Sequence, residues 1–359
     1  MTIENIIALF HREKPVNYTL EMIRTGELDS RWVVTVECEN EKYMLKIASN
    51  SFTTEERISG WARMIDEFTK LGYYSPAIRE SLNGKCVERV TYEGMNCVVW
   101  EEEFAKFNLH DSMDKSVHTA ADGKHVYHDE VLGFLAKVGQ MHYDFFPYPS
   151  AWVRFVPFTP DDETDEITEC VETFNGLVKE KAPEFSEQWN RILTLFEENK
   201  KKLEAIYGEL PASVFQADEA GSNLILDDAG HFVGVIDYNI AGKEVVINRF
   251  LTAVLYGLSD HRKWEPDGQG LPGLNEETLE SLLCIIRDAF GTLREHYSFT
   301  ETEVIALPLL FKYIYPIEYT QIDALGKYAE EPEKLQMLFD YIEYVLRKDD
   351  IDFRDAMLL

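Results

Sequence analysis

The pattern of the sequence changes sharply near residue 104, and this change constrains the fold more than any other feature. Before it, apolar and polar residues alternate between turn residues and predict five strands, over 18–25, 31–37, 42–48, 85–91 and 95–101. After it, apolar residues recur mostly at helical spacing. The pattern predicts an α+β protein in which a small five-stranded antiparallel lobe precedes a larger, mainly helical lobe.

The length of the chain agrees with two lobes, because 359 residues exceed what one ordinary core buries. We place the boundary so that residues 1–103 form the first lobe and residues 104–359 the second. One helix is predicted inside the first lobe. Thr53 is expected to cap it, Glu56 stands where a capping box would close, and the helix runs to about Lys70.

Charge and composition exclude several classes of protein. Lys and Arg total 35 against 65 Asp and Glu, and a net charge of −30 would repel a nucleic-acid backbone. This acidity could attract a cationic ligand, but a solvated surface also explains it. No apolar run approaches a membrane span and no secretory signal opens the chain, so we expect a cytoplasmic protein without a membrane partner. The five cysteines form no CxxC pair and are expected to be reduced.

A single β-rich segment interrupts the helical part of the chain, and it carries the most informative residues. Strands are predicted at 214–215, 224–226 and 232–236, with hairpin turn residues at 227–230. Asp218, Asn223 and Asp237 follow or end these strands, where side chains can converge. Phosphoryl transfer needs a carboxylate that orients the attacking hydroxyl and oxygen ligands that hold Mg²⁺ on the nucleotide phosphates. The three residues supply such a set.

These motifs resemble the aminoglycoside phosphotransferase and choline kinase branch of the protein-kinase-like fold. That family carries HGDxxxxN, which corresponds here to residues 216–218 with Asn223, and a strand that ends IDW or IDF, which corresponds to residues 236–238. Residues 135–142 are similar to the family's LARLH helix. The resemblance covers about residues 20–260. It implies the two-lobed kinase-like fold, with a nucleotide-binding first lobe and a catalytic, acceptor-binding second lobe.

The resemblance also implies roles for the residues of the β-rich segment. Asp218 is the expected catalytic residue, which orients the acceptor hydroxyl, and Asn223 and Asp237 are the expected Mg²⁺ ligands. The phosphate donor would be ATP or GTP, and the sequence does not distinguish them. Gln216 and Ala217 replace the usual His and Gly of the motif. Near residues 242–249, where the family carries GDPxxDLA, this chain has no Asp and offers Asn248 and Arg249 instead.

In the first lobe the resemblance implies a lysine that contacts the nucleotide phosphates, and Lys46 stands at that place in the sequence. Its ion-pair partner is expected to be Glu56, with Glu55 and Glu67 as alternatives. Residues 26–30 would form the loop that covers the phosphates. The segment 100–104, including Glu102 and Phe104, is expected to meet the adenine as a hinge, with Ile225 and Ile236 as the apolar floor.

The predicted function is therefore that of a small-molecule kinase, which moves the γ-phosphate of ATP or GTP to a hydroxyl group. An aminoglycoside, a choline-like compound or another metabolite would serve as acceptor. The alternative is a nucleotide-binding pseudokinase of weak activity, or a regulatory or structural protein of the same fold. The sequence leaves the acceptor and the oligomeric state open.

Two further clusters of the sequence are interpreted without a catalytic role. His110, His118, His125 and His128 fit no zinc signature and are expected to be flexible loop residues. The acidic run 161–166 is expected to lead into a helix, near where the family builds acceptor pockets. No nucleophile triad is evident from the spacing of residues.

Overall fold

The computed structural model describes residues 1–24, 29–121, 123–219, 221–258 and 274–358. They form two compact units. The first comprises Met1–Tyr127, Thr159–Asp161 and Gly221–Ala241, and the second comprises His128–Phe158, Asp162–Ala220 and Gly242–Leu359. The division at residue 103 stays a prediction about lobes. The compact units interleave along the chain, because the first unit includes residues 221–241 of the β-rich segment.

The first unit is built on an antiparallel sheet. Within the described residues its strands are β1 (Asn17–Arg24), β2 (Asp29–Glu37), β3 (Lys42–Asn50), β4 (Ile78–Arg79), β5 (Glu88–Tyr92) and β6 (Met95–Glu103). The order is β1-β2-β3-β6-β4, and β5 also pairs with β6. The five predicted strands are present. The short β4 was not predicted, because two residues carry no readable periodicity.

Helices on the first unit complete its core. Helix α1 (Ile3–Ile7) buries Ile6 and Ile7 against Val34 and Leu45 of the sheet. Helix α2 (Glu55–Lys70) buries an apolar face that includes Trp61. Its N-cap is Thr54, whose hydroxyl accepts a hydrogen bond from the Arg57 amide.

The capping prediction for α2 was therefore wrong by one residue. The Thr53 amide donates instead to the Asn50 side chain at 2.6 Å, which turns the chain before the helix starts. Glu56 then falls one position short of the place that closes a capping box.

A second, smaller sheet in the first unit carries most of the β-rich segment. It consists of β7 (Asn108–Leu109), β9 (Leu224–Leu226) and β10 (Phe232–Val235), in the order β10-β9-β7. The predicted hairpin is confirmed, with Gly230 at φ +83° in its turn. At Gly234 a Cβ would lie 1.7 Å from the Tyr74 carbonyl oxygen, so only glycine permits this approach. Tyr74, which lies in the segment after α2, hydrogen-bonds through its backbone to Val233 and Val235 of β10.

The second unit is mainly helical, with β8 (Ala212–Phe215) paired to β11 (Gly242–Val245). The described helices of this unit are α4 (His128–Gln140), α5 (Glu166–Lys181), α6 (Ser186–Tyr207), α7 (Val246–Thr252), α8 (Glu276–Leu293), α9 (Glu301–Ile314), α10 (Tyr319–Lys327), α11 (Pro332–Arg347) and α12 (Arg354–Met357). The short α3 (Lys115–His118) belongs to the first unit. Helix α6 packs against α9 and α11, and α4 against α8 and β8. The expected loop around 266–272 lies outside the described residues.

Membrane insertion was not expected from the sequence. Among the helices that the structure describes, none is both long and apolar enough to cross a membrane.

Candidate functional site

The loop after β8 in the second unit presents Asp218. Gln216 is fully buried, and its side-chain oxygen accepts a hydrogen bond of 2.8 Å from the Asp218 amide. Between them Ala217 adopts φ +73°, a left-handed conformation that favours glycine. The substitution of Ala for the motif's usual Gly thus leaves a strained residue, which persists only where neighbours hold it.

Two side chains hold this strained loop by the same backbone group. The Ala217 carbonyl accepts hydrogen bonds from Trp152 Nε1 at 2.6 Å and from Arg249 Nη1 at 2.8 Å. Arg249 Nη2 also lies 3.2 Å from the Glu219 carboxylate, and both side chains are almost fully buried. Arg249 therefore contacts the residues on both sides of Asp218.

Asn248, the other residue at the divergent motif position, anchors the start of α7. Its amide nitrogen donates to the Trp152 carbonyl at 2.7 Å and to Glu244 at 2.6 Å, and its oxygen accepts from Arg154 Nε at 3.2 Å. Burial raises the pKa of Glu244, against the opposing charge of Arg249. Ser150 donates to the same carboxylate. The sequence analysis did not predict this network. Its signal in the sequence is the spacing of Glu244 and Asn248, two polar residues that lie four apart in an apolar stretch.

The expected Mg²⁺ ligands lie in the first unit. Asn223 ends a short 3₁₀ turn (Gly221–Asn223), and its carbonyl accepts a hydrogen bond of 3.0 Å from the Ile236 amide. This bond brings Asn223 beside the end of β10. Asp237 follows directly, at φ +59°, with its side chain 42 % exposed. Like Ala217, Asp237 is a non-glycine residue with a left-handed backbone conformation, and its carboxylate is accessible.

Lys46 on β3 lies between two carboxylates of the first unit. Its Nζ is 3.0 Å from Glu102 Oε2 and 3.9 Å from Asp237 Oδ1. Burial by itself would lower the pKa of the ammonium, but the charges of Glu102 and Asp237 outweigh burial and the pKa is raised. Lys46 is therefore held in its charged form beside Asp237.

The partner of Lys46 is Glu102 and not a residue of α2. Among the described residues, Glu56 makes no ion pair with Lys46. Its carboxylate is exposed, and bonds to its own helix start and to Thr54 lower its pKa. Glu55 lies 3.7 Å from Arg89, and Glu67 pairs with Lys70 on the same helix.

The pairing register of the sheet explains why Glu102 reaches Lys46. Lys46 stands opposite Trp100 in the β3–β6 ladder, so Glu102, two residues on, is its diagonal neighbour on the same face. Trp100 Nε1 donates to the other Glu102 oxygen at 2.8 Å. Glu102 lies on β6, which pairs with β3 on one side and β4 on the other. The backbone of Glu102, which was expected to be part of a hinge, is therefore paired in the sheet.

A pocket of about 480 Å³ in the first unit opens at Lys46. Its walls combine Lys46, Glu102 and Ile236 with the segment after β6, where Phe104 is 43 % exposed. Ile225 is fully buried in β9, paired with Leu109, which lines the pocket. The expected phosphate-covering loop falls at 26–30, of which residues 26–28 lie outside the described residues.

The histidines are packed rather than flexible. The ring centroids of His110 and His118 are 4.1 Å apart, and His125 lies 6.3 Å from His118. Burial, followed by the charges of His110 and His125, lowers the pKa of His118. A Cβ at Gly221 would lie 2.9 Å from the His110 ring, so the cluster supports the turn that carries Asn223. In the described part of the chain, no group of acidic, His and Cys side chains is arranged to hold a metal ion by itself.

The acidic run leads into α5 as expected. Asp165 is the N-cap of the helix and accepts hydrogen bonds from the Ile167 and Thr168 amides. The buried Asp165 carboxylate also accepts from the Tyr313 hydroxyl at 3.1 Å. Asp165 is therefore occupied by structural bonds.

Comparison with known proteins defines the fold. No protein-family model matches the sequence, and no curated protein matches it. Among solved structures, an amicoumacin kinase in complex with AMP-PNP, Ca²⁺ and Ami is 14% identical, with a TM-score of 0.50 over 99% of this chain and 96% of that one.

Two further solved structures match at lower scores. A spectinomycin phosphotransferase in complex with ADP and its drug is 11% identical, with a TM-score of 0.46 over 99% of this chain and 96% of that one. A microcompartment-associated aminopropanol kinase is 13% identical, with a TM-score of 0.47 over 96% and 94%. The match to the amicoumacin kinase confirms the predicted fold class: the chain has the protein-kinase-like fold.

Proposed function

We propose that this protein is a small-molecule kinase that transfers the γ-phosphate of ATP or GTP to a hydroxyl group of a small acceptor. The observation that carries the proposal is the pocket in which the charged Lys46 lies 3.9 Å from the accessible Asp237 carboxylate. A cation beside a carboxylate at the mouth of a partly apolar pocket is what a metal-bound nucleotide requires. The fold supports the same class, since its solved neighbours include kinases of small molecules.

In this proposal the pocket binds the nucleotide. Phe104 and Ile236 contact the base, and Lys46 binds the phosphates while Glu102 keeps its side chain extended along the sheet. Backbone groups for the base would come from the segment after Phe104, because Glu102 is paired in the sheet and the Phe104 amide donates to the Lys42 carbonyl at 3.3 Å.

The oxygen donors of Asn223 and Asp237 fit Mg²⁺, which prefers carboxylate and amide oxygens and leaves its other positions to phosphate and water. Asp237 offers an exposed carboxylate, and the bond from Ile236 to Asn223 keeps both residues at one strand end. When bound, Mg²⁺ neutralises charge on the phosphates.

Asp218 is proposed as the residue that orients the acceptor hydroxyl and accepts its proton. Gln216 bonds the Asp218 amide, which performs the loop-holding role of the motif histidine. Arg249 acts as a positioning residue, because it contacts Ala217 and Glu219, the residues on either side of Asp218. The departures from the family motif are thus replaced by other contacts, which favours an active enzyme over a pseudokinase.

The deciding experiment measures nucleotide binding and phosphate transfer separately. Calorimetry with ATP and with GTP, each with and without Mg²⁺, should give metal-dependent binding and a raised melting temperature. Hydroxyl-bearing metabolites, aminoglycosides and cationic amino alcohols are then screened for the mass gain of one phosphate. Binding without transfer to any acceptor, and without Asp218-dependent hydrolysis, would indicate a pseudokinase. Absence of binding to both nucleotides would contradict the proposed site.

A further inference from the structure

A cysteine, a histidine and a glutamate form a relay in the first unit, on the sheet face opposite Lys46. Cys38 Sγ lies 3.7 Å from His11 Nδ1, and His11 Nε2 lies 2.6 Å from Glu101 Oε1. Glu101 neighbours Glu102 on β6, and successive strand residues point to opposite faces. The side chains of the relay therefore lie on the other face of the sheet from Lys46, although the pocket beside Cys38 shares Glu103, Phe104 and Lys106 with the nucleotide pocket. The members of the relay are distant in sequence, so residue spacing did not reveal it.

The relay is held in a definite orientation by its buried end. Glu101 is 0 % exposed, and its second oxygen accepts a hydrogen bond from Arg79. The Arg79 guanidinium in turn lies 4.0 Å from the centre of the Tyr43 ring. With Nε2–H donating to Glu101, Nδ1 is the nitrogen left to accept the Cys38 proton. A nucleophile, a base and a group that orients the base are the parts of an activated-nucleophile site.

The thiol end of the relay is accessible. Cys38 follows β2 directly, is only partly buried, and lines a pocket of about 690 Å³ together with Arg79 and Lys42. A small molecule can therefore approach the sulfur while the carboxylate stays shielded.

We propose that Cys38 is a modification site, at which His11 activates the thiol toward low-molecular-weight disulfides. In the step, the Cys38 S–H bond breaks and its proton passes to His11 Nδ1 as Sγ attacks one sulfur of the disulfide. The new bond joins Cys38 to that sulfur, and the old S–S bond breaks. The leaving thiolate takes the proton from the imidazolium. Cys38 is oxidised and the leaving sulfur is reduced, so no other reagent is needed.

The electrostatics explain why this thiol needs a base. Burial raises the pKa of Cys38, as does the charge of Glu101, while Arg79 opposes them. Glu41 and Glu13 raise the pKa further, and the neighbouring Tyr43 has a pKa of about 12, so it stays neutral. A thiol with a raised pKa carries little thiolate at neutral pH. With His11 as base, the proton passes to the imidazole as the sulfur attacks, so the rate at Cys38 should depend less on pH than that of an unassisted thiol.

The test uses the full chain and oxidised glutathione, with modification of each cysteine followed by peptide mass. Cys284 is the internal control, because it is exposed, its Sγ lies 3.9 Å from Arg287 Nη1, and no histidine of the described residues is recorded in contact with it. At about neutral pH, Cys38 should react at least about 10-fold faster than Cys284. His11→Asn should lower the Cys38 rate to that of Cys284 and leave the Cys284 rate unchanged.

The pH profile of the unmodified protein tests the relay without any substitution. A Cys38 rate that changes less between neutral and alkaline pH than the Cys284 rate supports the proposal. A rate no faster than that of Cys284 at neutral pH, or one that rises with pH as steeply as that of Cys284, overturns it. Glu101→Gln should slow the reaction at Cys38 alone, and an equal rate in that variant would also count against the relay.

Discussion

The pocket at Lys46 and the loop at Asp218 both depend on charged residues, but they use charge in opposite ways. Lys46 lines the pocket with its side chain 17 % exposed, and the Asp237 side chain beside it is 42 % exposed, so a ligand can join their contacts. At the loop, Arg249 and Glu219 are buried and form an ion pair, with Nη2 3.2 Å from the carboxylate. Accessible charges suit binding, whereas buried paired charges suit positioning, because removing one partner leaves the other without compensation. The following predictions test this distinction.

The largest effect should follow the loss of Arg249. Arg249→Met leaves the buried Glu219 charge uncompensated and removes a hydrogen bond from the strained Ala217, so unfolding should become easier by about 3–5 kcal/mol. Chemical denaturation measures this. Lys243→Met is the matched control, because the Lys243–Asp144 pair is solvent-exposed and should matter by less than about 1 kcal/mol.

A double variant sharpens the interpretation of Arg249. Adding Glu219→Gln to Arg249→Met removes the uncompensated charge and should recover part of the lost stability. If the single Arg249 variant is as stable as the Lys243 control, the contacts of Arg249 with Ala217 and Glu219 do not stabilise the fold.

Next in size is the difference between Asp218 and Asp237. Asp218→Asn keeps the size of the side chain, but the amide cannot accept a proton as the carboxylate does. Nucleotide affinity should therefore persist while turnover falls about 100-fold or more. Asp237→Ala should instead weaken metal-nucleotide binding, and turnover with it. Calorimetry and transfer assays separate the two results. Near-full transfer by the Asn variant would remove Asp218 from its assigned role.

A smaller effect is expected at the partner of Lys46. Glu102→Gln should reduce turnover by about 10-fold, because Lys46 loses the charge that holds it in the pocket. Glu56→Gln is the control and should leave turnover unchanged, since Glu56 is exposed and its recorded bonds lie at the start of α2. Equal losses in the two variants would restore the helix residue as the functional partner.

The smallest effect is the predicted absence of a pH response from Lys46. A raised pKa means that the contribution of the charged amine is complete below its ordinary pKa of about 10.4 and is lost only as pH rises through the still higher folded value. Nucleotide affinity should therefore show no loss from this group between about pH 7 and about pH 9.5. A midpoint in that window, absent from Lys46→Arg, would show that burial outweighs the carboxylates.

The sequence by itself predicted the features that depend on local pattern. Strand alternation identified the main sheet, and the turn residues Asp227, Asp228 and Gly230 located the hairpin. The order of Asp218, Asn223 and Asp237, with the order of the lobes and the resemblance to the family motifs, predicted the kinase-like fold. Each of these signals is contained within a few neighbouring residues, where periodicity and turn preference act directly.

Tertiary structure decided which distant side chains meet. Glu102 became the partner of Lys46 through strand register, which local propensity does not specify. Arg249 donates a hydrogen bond to the Ala217 carbonyl, and His11 contacts the Cys38 sulfur. Both contacts exist because folding brings together segments that lie many residues apart in the sequence. Their energies come from burial and paired charge, and these exist only once the surrounding core has excluded water.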